Sequence, residues 1–229
     1  MKFELEYPTE LSEIPLEHYQ KFMKVVSNSN DEDFISRKMV ELFCGVSMKD
    51  AVQIALTDVM ELVEHFTKLF SSKPTFKKRF FIGGVEYGFI TDLENISFGE
   101  YLDIETNIVD FETMHKAMAV MYRPIIDKRK DKYQIEDYAG SAEYADVMKY
   151  APLDVVLPAS VFFWNLGSEL LNATLVSLER EMLKEKNLPI IAKRLNLANG
   201  GDGIKAFIHS LKEKLASLTE LQEKDFLSA

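Results

Sequence analysis

Thr75-Phe76-Lys77-Lys78-Arg79-Phe80-Phe81-Ile82-Gly83-Gly84-Val85-Glu86-Tyr87-Gly88-Phe89-Ile90 is the stretch that decides the fold. Two runs rich in aromatic and β-branched residues flank Gly83-Gly84. A Gly-Gly pair supplies the positive φ angles that a two-residue hairpin turn requires. An antiparallel hairpin is therefore predicted over residues 75–90, with Pro74 marking the place where the hydrophobic period changes.

Upstream of Pro74 the period is helical. Pro15 suits the first turn of a helix through Tyr19, Phe22, Val25 and Val26, which the polar cluster Ser27-Asn28-Ser29-Asn30 breaks. Asp31 to Phe43 resumes it with Phe34, Ile35, Met39 and Leu42, and Gly45 closes it. Ser47 and Asp50 have capping-box spacing for another short helix. Thr57 and Asp58 open a third, with Val59, Leu62, Val63, Phe66 and Phe70 on its apolar face. At the start, residues 2–8 alternate, which predicts a short edge strand ending at Pro8.

Downstream, Ser97 and Glu100 predict a capped helix from Phe98 to about Glu105. Met114, Ala117, Met118 and Met121 predict a helix from Phe111 to Arg123, stopped before Pro124. Asp127 to Lys132 reads as a charged loop, and the alternation in Tyr133-Gln134-Ile135-Glu136 as a short strand through about Tyr138. Ser141 to Tyr150 reads as a short helix, and a long helix is expected from Pro158 to about Lys186. Asn199-Gly200-Gly201-Asp202-Gly203 breaks the chain before a last amphipathic helix, Ile204 to about Leu218. The sum is a mostly helical α+β fold, a helical bundle with one small antiparallel sheet built on the hairpin. Its main domain covers 1–186, and a hinge with a C-terminal helical tail covers 187–229.

Of 229 residues, 47% are hydrophobic and 28% charged, a globular composition. Lys and Arg number 27 against 37 Asp and Glu, a formal charge of −10, which argues against a duplex-DNA binder with a broad basic face. The single cysteine, Cys44, can form no internal disulfide and reads as a small buried hydrophobe. Met1 to Glu6 lacks the apolar run of a secretion signal. Leu153 to Leu171 approaches a bilayer span in length, but Asp154, Pro158, Asn165 and Glu169 interrupt it, so a buried helix is expected and no membrane span.

The residues that could carry chemistry are scattered. Glu112 and His115 have the Glu-x-x-His spacing that puts two metal ligands on one helix face, and Glu61, Glu64 and His65 are further candidates. No second Glu-x-x-His is present, so no metal or cofactor is expected. Asp92, Glu94, Glu100, Asp103, Glu105, Asp110 and Glu112 form an acidic run without Lys or Arg. It reads as a solvated face that also offers a docking surface for a basic partner. Lys77-Lys78-Arg79 offers a contact for nucleic acid but reads first as a guard on an exposed hairpin edge. Lys128-Arg129-Lys130 reads as a charged turn. The glycines of 199–203 lack the Lys-Ser/Thr of a phosphate loop.

Several longer segments together resemble a known group of proteins. They are Phe81 to Leu93, Ile96-Ser97-Phe98-Gly99-Glu100-Tyr101-Leu102-Asp103, Ala119-Val120-Met121-Tyr122-Arg123-Pro124, Tyr138-Ala139-Gly140, and Ala159-Ser160-Val161-Phe162-Phe163-Trp164-Asn165-Leu166-Gly167. Over roughly residues 15–185 the chain resembles proteins encoded among the structural genes of tailed bacteriophages, especially those infecting Bacteroidetes, including the crAss-like phages. The resemblance is one of apolar and aromatic pattern and transfers no active-site residue. It implies a non-enzymatic protein, virion-associated or acting in virion assembly: a tail or neck component, internal cargo, or a factor similar to a tail assembly chaperone. Its partners would be other phage structural proteins, its location the virion or the host cytoplasm, and a homo-oligomer is open. Phe162, Phe163, Trp164, Lys77 and Arg79 are the candidate partner-binding residues. The competing reading is an enzyme with a metal or acid–base site near Glu112 and His115.

Overall fold

The computed structural model describes residues 5–93, 95–130, 132–163 and 165. The chain divides into two compact units, residues 1–160 and residues 161–228. Of the second, residues 161–163 and 165 are described, and they are helical. The expected domain boundary near residue 186, the tail over 187–229 and the remainder of the long helix lie outside the described residues.

The first unit is a mostly helical α+β structure. After a 3-10 turn, Leu11–Glu13, come α1 (Leu16–Asn28), α2 (Glu32–Cys44), α3 (Met48–Ala51) and α4 (Leu56–Phe70). The residues that predicted these helices also end them. Asp31 accepts a hydrogen bond from the Phe34 N–H at the start of α2, and Ser47 accepts one from the Asp50 N–H at the start of α3. Gly45 closes α2 at φ 67°, in the left-handed region that glycine enters without a Cβ clash. The helices converge on an aromatic cluster in which Phe43 lies 5.3 Å from Phe22, 5.2 Å from Phe66 and 5.1 Å from Phe70, ring centre to ring centre. The buried face of α2 is Met39, Val40 and Phe43, one step round from the predicted one; Phe34, Ile35 and Leu42 are half-buried.

Residues 5–8 form no strand, contrary to the alternation; Met1 to Glu4 lie outside the described residues. Alternation gives a strand only where an edge accepts it, and here the segment packs on α4, with His65 Nε2 2.8 Å from the Pro8 carbonyl oxygen.

The hairpin forms as predicted, β1 (Arg79–Ile82) pairing with β2 (Val85–Phe89), with Gly83 and Gly84 at φ 58° and 86°. After α5 (Phe98–Ile108) and α6 (Met114–Met121), β3 (Tyr122–Arg129) and β4 (Lys132–Ile135) complete an antiparallel sheet of order β1-β2-β3-β4, and α7 (Ala145–Met148) follows. Three expectations are corrected here. Residues 122–129 are a strand, not the end of a helix and a charged loop. Pro124 fits the strand because Ile90 N–H bonds the Met121 carbonyl, so by alternation the Pro124 nitrogen faces away from β2. On the other side its carbonyl accepts from Glu136 N–H (3.0 Å), just past the end of β4. The helix expected over 141–150 is confined to α7, preceded by turns. Helical structure begins at residue 153 instead of after Pro158, since Val155 and Val156 N–H bond the Pro152 carbonyl and both valines are buried.

One sheet face carries Phe80, Tyr87, Phe89 and Tyr122 into the core, with Tyr122 5.1 Å from both Phe80 and Phe89. Each buried ring contributes roughly 1.5–3 kcal/mol.

Candidate functional site

The sequence candidates are drawn into the fold. Lys77 lies just ahead of β1; its ammonium donates to the Asp154 carboxylate and its carbonyl accepts from the Tyr122 hydroxyl (2.7 Å). Arg79 sits 3.6 Å from Glu86 and over the Tyr133 ring, 5.9 Å from its centre. Lys77 therefore ties the entry to β1 to Asp154 outside the sheet, and Arg79 links strands within it. Phe162 is half-buried, Phe163 is buried, and Trp164 lies outside the described residues.

Glu112 and His115 face different partners. Glu112 precedes α6 and pairs with Lys24 of α1 at 3.0 Å. His115, in the first turn of α6, has Nδ1 3.0 Å from the amide nitrogen of Gln20, which also donates to the carbonyls of Phe111 and Glu112. Burial first, and then Lys149 and Lys116, lower the imidazole pKa and favour the neutral ring. Gln20 and His115 thus fasten α1 to α6. Among the described residues, no group of three or more His, Cys, Asp and Glu side chains could hold a metal ion. Cys44 is half-buried, its thiol pKa pushed up to about 11 by burial, which keeps it protonated and unreactive at neutral pH. An open depression of about 240 Å³ lies between Leu11, Leu69, Pro74 and Asp154.

The unusual feature is α5, which buries polar residues and exposes apolar ones. Its inner face carries Glu100, Asn107, Ile104 and Ile108. Phe98, at 79% exposure, Leu102 at 47% and Val109 at 46% share the outer face. The orientation is fixed from within. Glu100 accepts from the Arg123 guanidinium at 2.7 Å and closes a capping box with Ser97 through the Ser97 N–H at 2.8 Å. Asp103 accepts from the Tyr138 hydroxyl (2.6 Å) and the Ser141 N–H (3.1 Å). These bonds, the Tyr138 hydroxyl first, hold the Asp103 carboxyl below the usual aspartate range. Rolling α5 to hide Phe98 would strand a buried carboxylate, so the helix keeps its apolar side out.

A second exposed apolar group lies at the α3–α4 corner, where Val52, Leu56 (74% exposed) and Met60 stand in solvent. Phe81 and Val85 are exposed near the hairpin turn. Phe98 and Leu102 stand four apart on the helix expected from the sequence, while Val109 lies beyond its expected end near Glu105. The sequence also holds Ile104 and Ile108 on the same helix, and the bonds of Glu100 and Asp103 decide which stripe faces inward.

With this geometry in hand, the chain matches no family model, no curated protein and no solved structure. Among the described residues no helix is long and apolar enough to cross a membrane.

Proposed function

We propose that this chain works without catalysis, through protein–protein contacts, as a virion-associated or virion-assembly protein of a tailed bacteriophage. The observation that carries the contact role is the outward apolar face of α5, held open by a buried ion pair. Large apolar side chains kept in water by a fixed framework mark a surface that another molecule covers. The phage setting rests on the resemblance of the apolar and aromatic pattern over residues 15–185. Tail or neck component, internal cargo and assembly factor are the three forms of the role.

The test is mass spectrometry of purified particles together with deletion of the gene. Abundant peptides in particles support a virion component. Absence from particles with tail defects on deletion supports an assembly factor. Absence with normal particles overturns the reading, as does bound metal that is lost in His115→Ala.

A further inference from the structure

We propose that the outer face of α5 is a docking site for a basic amphipathic helical segment of a partner protein. The inference deepens the protein-contact reading and rests on it. Phe98 and Val109 stand at the ends of the stripe and Leu102 between them, a run of about 16 Å at about 1.5 Å per residue, the length of three helical turns. A partner helix of that length, with apolar side chains at i, i+3 or i+4 spacing, lies along it.

Charge selects the occupant. Residues 92–112 carry seven carboxylates and no Lys or Arg. Glu100 and Glu112 meet Arg123 and Lys24. Asp103 is kept anionic by a hydroxyl and an N–H, neutral donors that leave its charge in place. Exposed Asp110 follows Val109 at the end of the apolar stripe. Lysine or arginine flanking the partner's apolar residues complements that arrangement. A second copy of this chain would bring the same acids face to face, at a formal charge of −10 each. Acids also repel nucleic acid and anionic lipid.

The experiment uses the full chain and a labelled amphipathic Leu/Lys peptide of about 18 residues. Its controls are a scrambled peptide of the same composition and a Leu/Glu counterpart. Binding is read by fluorescence anisotropy at about 0.05 and about 0.5 M salt. The Leu/Lys peptide is expected to bind at least about tenfold tighter than either control. Phe98→Ser with Leu102→Ser, melting close to the wild type, removes about tenfold of that affinity. Asp110→Asn weakens it at low salt more than at high salt. Leu56→Ser with Met60→Ser leaves it unchanged.

Equal binding of the scrambled peptide, an unaffected Phe98/Leu102 variant, or a loss falling on the Leu56/Met60 variant overturns the proposal. So does a wild-type dimer in sedimentation that Phe98→Ser dissolves, or binding to phosphatidylcholine vesicles that the same variant abolishes. Failure here with the chain present in particles refutes the basic partner and leaves the contact role standing. Peptide binding with normal particles lacking the chain refutes the phage role and leaves the docking face standing.

Discussion

Replacing Gly88 by alanine tests the packing of the sheet in one step. Gly88 lies in β2 between Arg79 and Arg123 in register. A Cβ there would fall 2.4 Å from Cε2 and 2.8 Å from Cδ2 of Tyr133, and 3.0 Å from Cγ1 of Ile125. The Tyr133 ring cannot step aside cheaply. Its hydroxyl donates to the Phe89 carbonyl at 2.9 Å, with the Lys78 carbonyl at 3.2 Å, and Arg79 covers its face. Overpacking costs about 1–3 kcal/mol, and losing the hydroxyl contact about 1 kcal/mol more. Alanine's smaller loss of backbone freedom offsets roughly 0.5–1 kcal/mol. Gly88→Ala is therefore expected to destabilise the protein by about 2–3 kcal/mol. In urea unfolding followed by far-ultraviolet circular dichroism, the midpoint falls by about 1 M or more. In a Tyr133→Ala background only the 3.0 Å approach to Ile125 Cγ1 remains, and the cost of Gly88→Ala falls to within about 1 kcal/mol of zero. A single substitution within about 0.5 kcal/mol of wild type, or the same cost in both backgrounds, would refute the reasoning.

Arg123→Met leaves Glu100 buried without its cation and is expected to cost about 3–5 kcal/mol, while Arg123→Met with Glu100→Gln recovers at least half in the same unfolding assay. Because the Asp103 carboxyl titrates below its unfolded value, its stabilisation is present above about pH 4 and is lost as pH falls through the folded value. Asp103→Asn therefore melts lower than wild type at neutral pH, and the two melting curves draw together as pH falls below about 4 in scanning fluorimetry. For His115 the folded pKa is also lowered, so the unfolded chain takes up its proton first and stability drops as pH falls below about 6.5. Its ring-proton titration by NMR should have a midpoint below that of a free histidine, and a midpoint at or above it contradicts the burial of the ring.

Local signals read well where one residue type has one structural use. Gly83-Gly84 made the turn, Gly45 ended α2, and Ser97 with Glu100 closed a capping box, because each meets a backbone requirement within a few residues. The junction of α6 and β3 was misread for a physical reason. Met114 and Ala117 to Tyr122 are buried all round, so no period marks the end of the helix, and Pro124 looks the same ahead of a helix stop as it does inside a strand. The site was less legible than the fold. Lys77 and Arg79 read as guards on an exposed hairpin edge or as partner contacts, but Asp154 and Glu86, which they pair with, lie across the structure or the turn. Glu112 and His115 have a metal-ligand spacing only if both stand on one helix, and Glu112 lies in the turn before it. The acidic run was visible as charge; that Phe98 and Leu102 within it face outward follows from the fold.

Tyr122 is at once the residue that caps α6, with its N–H on the Met118 carbonyl, and the first residue of β3. Where a helix becomes a strand across one peptide, there is no slack to absorb an inserted residue: one added amino acid would turn every later side chain of β3 to the opposite side. The joint is also a lever. A ligand that tugs on the helix must shift the sheet by the same amount, so the two elements breathe together and should exchange their amide hydrogens as a single block.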